Sequence, residues 1–253
     1  MDVVVLVKSI PDPSGDAPLG EDFLVGRDGE GTLDPGDEFA VEAALQLVEA
    51  SDGEVTAVSM GPSGAVSAIR RALSMGVHRA VIVTDDALRG ADALATARVL
   101  AATVGRTSYD VILAGVESTD GYTGTVPITV AEFLGLPAAT FARKLDVSNG
   151  SIRVERQTEA GYDVVESQLP VLVTVTAGAT EPRYPTLKGI MGAKQKPVEQ
   201  LTLADLSLKA EDVLPTQRVV AVESAPQKAA GEIIPADGAA ARIADLLADA
   251  KAI

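Results

Sequence analysis

The feature that most constrains the fold is an alternation of short apolar runs with longer helical patterns up to residue 134. The apolar runs are rich in Val and Ile and lack polar alternation, which is typical of strands buried on both faces. We predict these strands at residues 3–7, 55–59, 80–83 and 111–114. The segments that follow them predict helices at 37–50, 65–75, 91–104 and 125–134. Four successive β-α units of this kind indicate a parallel sheet flanked by helices.

The pattern changes after residue 137. Asn149-Gly150 lies between two alternating runs, which is a strong hairpin signal, and Ala160-Gly161 marks a second turn. The predicted fold class is therefore α/β, a Rossmann-like parallel sheet flanked by helices, with added antiparallel hairpin strands and an extended C-terminal arm. Residues 23–33, broken by three glycines, interrupt the first crossover as an irregular excursion or a small hairpin.

The composition argues against several classes of function. The 253 residues carry 21 Lys and Arg against 36 Asp and Glu, a net charge of −15, so the molecule as a whole repels nucleic acid and anionic membranes. The absence of cysteine excludes disulfides, thiolate metal sites and thiol nucleophiles. No apolar run is long enough for a signal peptide or a membrane span, which favours a cytoplasmic location.

Candidate catalytic groups are scarce. His78 is the single histidine, which argues against a zinc site or a Ser-His-Asp triad, and it is interpreted as a polar residue at a strand start. Glu38 and Glu42 are interpreted as a solvated helix face. We therefore expect neither an enzyme with catalytic residues of its own nor a bound metal.

One loop has the composition of an anion site. Parallel sheets bind ligands at the carboxyl ends of their strands, and residues 115–124, after the fourth strand, are rich in Gly, Ser and Thr and lead into a helix N-terminus. The spacing matches neither the dinucleotide fingerprint nor the P-loop. Glycines after strands also serve simply as turns, and the carboxylates of Glu117 and Asp120 count against a charged phosphate.

A basic segment stands out from this acidic chain. Residues 181–197, EPRYPTLKGIMGAKQKP, have four cations from Arg183 to Lys196 and no carboxylate among them. Leu187, Ile190 and Met191 are spaced so that one helical turn places them on one side. From the residues alone, this side either packs into the core or faces a partner.

The predicted organisation has three parts. Residues 1–180 form an α/β domain, residues 181–197 the basic segment, and residues 198–253 an arm that ends in a helix at 239–250. The arm is too long for a loop, so it packs along its own domain or another chain.

Several motifs together resemble the beta subunit of the electron transfer flavoprotein family. VVVLVKSIPDP is similar to its opening strand and loop, and LDPGDEFAVEAAL to its N-P-x-x-E-x-A-V-E-x-A segment, with Asp34 in place of Asn. VSMGP, IRRALSMGVHRAV and AGVESTDGYTGTVPITVAEFLGLP resemble later family segments in the same order, followed by EPRYPTLKGIMGAKQKP.

The resemblance implies an electron carrier. The family's beta subunit pairs with an alpha subunit that holds most of a redox-active FAD, and it binds AMP without a redox role. The complex carries electrons from flavin dehydrogenases, typically acyl-CoA dehydrogenases of fatty acid oxidation, to a membrane quinone oxidoreductase. Residues 1–180 would then be the nucleotide-binding α/β domain and residues 181–197 a partner recognition loop, and the arm of residues 198–253 would contact the alpha subunit.

Site residues follow from the same resemblance. The implied AMP contacts are Leu6, Asp34, Pro35, Gly36, Asp37, Met60, Gly115, Val116, Glu117, Ser118, Thr119, Asp120, Gly121, Tyr122 and Thr123. The implied recognition residues are Leu187, Lys188, Ile190, Met191, Lys194 and Lys196, with Leu187 matching the leucine that enters a pocket on the dehydrogenase.

Two alternatives remain open. Some family members bind a second FAD in place of AMP and bifurcate electrons, and they resemble one another in a D-G-D-T-A-Q-V-G-P loop. Here Tyr122, Gly124-Thr125 and Pro127 depart from that loop, which favours AMP. The other alternative is a stand-alone adenine-nucleotide-binding protein, which would leave the basic segment and the arm unexplained.

Overall fold

The structure, a computed structural model, describes residues 1–13, 15, 19–27, 29–223, 231 and 233–252. Its strands are β1 (Val3–Leu6), β2 (Ser9–Ile10), β3 (Thr32–Leu33), β4 (Val55–Met60), β5 (Arg79–Val83), β6 (Val111–Gly115), β7 (Ala138–Ser148), β8 (Ser151–Thr158), β9 (Gly161–Gln168), β10 (Val171–Val175) and β11 (Val198–Leu201). Its α-helices are α1 (Pro35–Glu49), α2 (Val66–Met75), α3 (Ala93–Val104), α4 (Val126–Leu134), α5 (Leu187–Ala193) and α6 (Ala239–Asp249).

Nine strands form the main sheet, in the order β11-β5-β4-β1-β6-β10-β7-β8-β9. Pairing is parallel from β11 to β7 and antiparallel from β7 to β9. The predicted α/β class, the four β-α units and both hairpins are therefore confirmed. Asn149 and Gly150 both have positive φ, 50° and 76°, the backbone that a tight hairpin requires.

Alternate residues of the central strands enter two separate cores. Val3 and Val5 of β1 lie in the core that contains α1 and α2. Val4 and Leu6 lie in the opposite core, with α3 and α4. Because both faces of the central parallel strands are covered, a ligand has access to them mainly at the strand ends.

Two parts of the chain differ from a simple alternation. β2 and β3 pair antiparallel in a separate two-stranded sheet, and the excursion lies between them in the sequence. The sequence analysis missed β11, which pairs parallel with β5 at the sheet edge. Glu199 and Gln200 at its centre are exposed, so the strand lacks the continuous apolar run of the buried strands.

The interpretation of Glu42 as a solvated residue is wrong. Its side chain is buried, at 4% exposure for the residue, and the Nε of Arg183 donates to its Oε2 at 2.7 Å. Although burial by itself would raise the pKa of Glu42, the hydrogen bonds from Arg183 and Gln46 hold it below its usual range. Arg183 also pairs with Glu49, so α1 anchors the start of the basic segment. Glu38 is paired with Arg71 at 2.9 Å.

The chain divides into two compact units, Met1–Val219 and Val220–Ile253. In the second unit, the predicted C-terminal helix is confirmed as α6. None of its residues is buried, and Ile243, Leu246 and Leu247 are exposed. The predicted division at residues 180 and 197 stays a prediction. No helix among the described residues is both long and apolar enough to cross a bilayer.

Candidate functional site

A buried carboxylate joins the start of α1 to the glycine-rich loop after β6. Asp34 is fully buried, and its Oδ1 accepts a hydrogen bond from the N–H of Gly36 at 2.8 Å, which caps the helix. Its Oδ2 accepts from the N–H and the hydroxyl of Thr119, at 2.7 and 2.8 Å. One side chain therefore fixes the helix N-terminus and the loop together.

The next carboxylate, Asp37, lies against the ends of β1 and β6. Its Oδ2 accepts a hydrogen bond from the N–H of Lys8 at 2.7 Å. A Cβ added to Gly115 would lie 2.8 Å from Asp37 Oδ1 and 3.3 Å from the carbonyl carbon of Gly36, so the close approach requires glycine. Burial raises the pKa of Asp37 to about 8, and the charge of Asp34 adds to the increase, while the N–H groups of Lys8 and Gly115 oppose it.

Asp120, which counted against a phosphate in the sequence analysis, is neutralised in the structure. Its Oδ1 accepts from the Nζ of Lys8 at 2.7 Å, and its Oδ2 from the Nη2 of Arg27. Burial alone would raise the pKa of Asp120, but these two cations hold it below its usual range. The carboxylate of Asp120 therefore does not argue against a bound phosphate. Glu117 remains exposed at the loop.

The loop presents backbone donors at its start. In the described part of the chain, no acceptor is hydrogen-bonded to the N–H groups of Val116, Glu117 or Ser118. Farther along, the N–H of Tyr122 donates to the carbonyl oxygen of Ser118 at 2.9 Å, which closes a turn. Tyr122 has a φ of 47° and an exposed side chain. Free N–H groups and small residues suit a ligand with phosphate or ring acceptors.

The fold brings most of the predicted nucleotide residues to the carboxyl ends of the parallel strands. Leu6 ends β1, Met60 ends β4 and Gly115 ends β6, on three neighbouring parallel strands. The hydroxyl of Ser59, beside Met60, is buried and has no hydrogen-bond partner within the described residues. The sequence analysis did not include Lys8 or Arg27 among the site residues. The position of Lys8 directly after β1 could have indicated a site residue. Nothing in the sequence around Arg27 indicated one.

These features fit a ligand that carries a phosphate. The close approach at Gly115, the open N–H groups and the Lys8 and Arg27 side chains would suit a phosphate, and the buried Ser59 hydroxyl near the end of β4 has no hydrogen-bond partner within the described residues. Which of the predicted residues contact a ligand stays a prediction.

The raised pKa of Asp37 predicts a pH dependence of stability. A group whose pKa is higher in the folded state contributes stability below its unfolded pKa of about 3.9, and that contribution is lost as pH rises through about 8. We expect the free energy of unfolding of the wild type, relative to Asp37→Asn, to fall between pH 5 and 8 by at most about 1.4 kcal/mol per unit. Urea unfolding of both proteins at several pH values measures this slope. A constant difference between them would contradict the assignment.

The basic segment forms a second candidate site. Its predicted helical turn is confirmed as α5, capped by the hydroxyl of Thr186, which accepts from the N–H of Gly189 at 3.0 Å. Leu187, Ile190 and Met191 are 75%, 50% and 66% exposed. The core-packing alternative is therefore wrong, and the apolar side faces solvent. Lys188 and Lys194 are also exposed beside it.

Hydrogen bonds attach this surface to α2 and to the residues directly after it. The Nη1 of Arg70 donates to the carbonyl oxygens of Ala193 and Lys196, at 2.5 and 3.0 Å. The ammonium of Lys196 donates to the carbonyl oxygens of Leu73 and Val77, at 2.9 and 2.6 Å, and burial lowers its pKa. Lys196 therefore differs from the other predicted recognition residues because its charge is turned toward the end of α2.

Two glycines of α5 provide a matched test of this support. A Cβ on Gly189 would lie 2.5 Å from the carbonyl oxygen of Ser74, whereas a Cβ on Gly192 would meet nothing within 4 Å. We expect Gly189→Ala to lower the free energy of unfolding by about 1–3 kcal/mol, because α5 must move off α2. Gly192→Ala should be neutral or stabilise by up to about 1 kcal/mol through helix propensity. Thermal or urea unfolding measures both, and equal effects of the two substitutions would refute the packing argument.

Two further observations bear on chemistry. His78 lies before β5, as predicted, and its Nδ1 accepts from the N–H of Val55 at 3.0 Å. Within the described residues, no group of three or more His, Asp or Glu side chains is arranged to hold a metal ion.

Comparison with known proteins gives a consistent result. Residues 22–206 match the model of the electron transfer flavoprotein domain. The chain is 40% identical to the electron transfer flavoprotein subunit beta of Mycobacterium bovis over 247 residues, which covers 93% of each chain. It is 37% identical to the subunit beta of Bacillus subtilis, over 88% of this chain and 89% of that one. The subunit beta of Thermoanaerobacterium thermosaccharolyticum is 36% identical over 92% of each.

Proposed function

Since the chain belongs to the electron transfer flavoprotein family, as a beta subunit, we propose that it pairs with an alpha subunit to form an electron carrier. This carrier accepts electrons from flavin dehydrogenases, such as the acyl-CoA dehydrogenases of fatty acid oxidation, and delivers them to a quinone oxidoreductase. The electron-transfer role follows from the family. The donor, the acceptor and the bound nucleotides are the finer parts of the proposal.

The cofactors are divided between two roles. FAD, shared with the alpha subunit, supplies the redox chemistry. AMP is bound without a redox role at the carboxyl ends of β1, β4 and β6. The AMP proposal is supported by the fixed loop at Thr119, the close approach at Gly115 and the cations beside Asp120. In this arrangement the chain's own residues bind and orient a nucleotide. The carboxylate of Asp34 holds the loop after β6 against the N-terminus of α1.

The exposed apolar side of α5 is the observation that carries the partner proposal. Leu187, Ile190 and Met191 project from a short, well-supported helix, with Lys188 and Lys194 beside them. In a chain of net charge −15, this local basic surface would attract an acidic partner while the rest of the molecule repels it. A small apolar anchor ringed by cations suits a transient complex, because the charges raise the association rate and the anchor adds limited affinity.

Leu187 is the sharpest test of this surface. Burying one leucine contributes about 1.5–3 kcal/mol, so Leu187→Ala should weaken productive docking by roughly tenfold or more. The measurement is the rate of reduction of the two-subunit complex by a purified acyl-CoA dehydrogenase, as a function of complex concentration. KM should rise while FAD content and thermal stability stay unchanged, because the side chain is 75% exposed.

Leu94→Ala provides the matched control. Leu94 is also an exposed leucine, at 40%, but lies on α3, which packs on the opposite face of the sheet from α2, the helix that supports α5. Its substitution should leave the reduction rate unchanged. Equal rates for wild type and Leu187→Ala would refute the proposed recognition surface.

The nucleotide content tests the carrier itself. The chain is produced together with its alpha subunit, denatured, and the released nucleotides are separated by chromatography against known protein content. FAD and AMP in equal amounts per pair of chains is the expected result. Two equivalents of FAD without AMP would favour the electron-bifurcating alternative, and an adenine nucleotide from this chain alone, without flavin or partner, would favour the stand-alone binder.

A further inference from the structure

The apolar side of α5 contains a thioether. Met191 lies there with Leu187 and Ile190, and the residue is 66% exposed. The chain has four methionines and no cysteine, so its sulfur chemistry is restricted to thioethers. We infer that Met191 is a reversible oxidation site, at which peroxide forms a sulfoxide that weakens docking of the dehydrogenase. This inference rests on the recognition surface of the proposed function.

The other three methionines are less accessible to solvent. Met75 lies in the core and is 4% exposed, and Met1 and Met60 are partly buried. A Cβ built on Gly192, next to Met191, would meet nothing within 4 Å, so no other part of the described chain lies against the helix at that point. Oxidation of sulfur side chains follows their exposure, so peroxide would react first at Met191.

The reaction is a two-electron oxidation of the thioether. A lone pair on the Sδ of Met191 attacks one oxygen of hydrogen peroxide, an S–O bond forms as the O–O bond breaks, and the other oxygen leaves as water after proton transfer. The sulfur is oxidised to a sulfoxide, and the peroxide is reduced to water. The change is reversible because methionine sulfoxide reductases return the sulfoxide to the thioether.

The sulfoxide would make part of the docking surface polar. An apolar anchor gains free energy when it leaves water, whereas a sulfoxide oxygen must give up its hydrogen bonds with water unless the partner supplies donors. Oxidation of methionine therefore disrupts apolar interfaces that contain it. The loss falls on docking, because the side chain of Met191 lies outside the core of this chain.

Two lysines near Met191 would stabilise the oxidised form on the free surface. Lys188 and Lys194 lie three residues before and three residues after Met191, and residues at this spacing share one side of a helix. Both lysines are exposed, and within the described part of the chain neither has a hydrogen-bond or ion-pair partner. Their ammonium groups therefore have donors for a sulfoxide oxygen, and docking would have to break those hydrogen bonds.

The experiment uses the two-subunit complex, treated with hydrogen peroxide that catalase then removes. Trypsin cleaves after lysine and arginine, so Met191 falls in the peptide of residues 189–194 and Met75 in that of residues 72–79, each as the only methionine of its peptide. Mass spectrometry of these two peptides over time measures sulfoxide at both positions. We expect Met191 to be oxidised about tenfold or more faster than the buried Met75.

The functional measurement is KM for reduction by a purified acyl-CoA dehydrogenase, expressed for each protein as the ratio of its treated to its untreated sample. The wild-type ratio should be about ten or more, because an apolar anchor becomes polar, and methionine sulfoxide reductases for both epimers should reverse the increase. Met191→Leu keeps an apolar side chain of similar volume without the sulfur, so its ratio should stay at about one, whatever KM the substitution itself gives. The alpha subunit and FAD are the same in both complexes, so the difference between the two ratios belongs to Met191.

Three results would overturn the oxidation site. These are equal oxidation of Met191 and Met75, a sulfoxide at Met191 that leaves the wild-type KM unchanged, and equal ratios for wild type and Met191→Leu. An unchanged KM in Leu187→Ala would instead refute the recognition surface itself. A failure of the proposed function is therefore distinguishable from a failure of the oxidation site.

Discussion

Helix α1 is the element on which both candidate sites depend. Asp34, buried at that terminus, bonds the helix to Thr119 in the loop after β6, and Asp37 bonds it to the chain that leaves β1. Two buried carboxylates so close together are costly to desolvate, and they persist because backbone N–H groups and a hydroxyl surround them. The helix is thereby fixed at the end of the sheet where ligands can enter.

The same helix supports the second site from its middle. Glu42, two turns beyond Asp34, is buried under Arg183, and this pair ties the start of the basic segment to α1. At the other end of the segment, Arg70 and Lys196 join it to α2 through backbone carbonyls. An apolar surface held by such contacts would lose little conformational entropy on docking, which adds to affinity.

Charge is distributed unequally over the molecule. The net charge of −15 coexists with two local groups of cations, one paired with Asp120 beside the nucleotide loop and one around α5. In the first group the countercharge lies behind the cations, and in the second the cations stand beside exposed apolar side chains. Both arrangements place positive charge where a negatively charged ligand or partner would approach.

The sequence by itself determined the α/β class, the four β-α units, the hairpins at Asn149-Gly150 and Ala160-Gly161, and the helical turn of the basic segment, because local periodicity and turn chemistry decide these features. It also located the loop after β6, since ligands collect at strand ends in such sheets. Only the tertiary structure decided that Glu42 is buried, that Asp120 is paired with Lys8 and Arg27, that β11 completes the sheet and that Leu187 faces solvent. Each of these depends on contacts between residues far apart in the chain, and a side chain's partners across such distances leave no trace in the local pattern of residues.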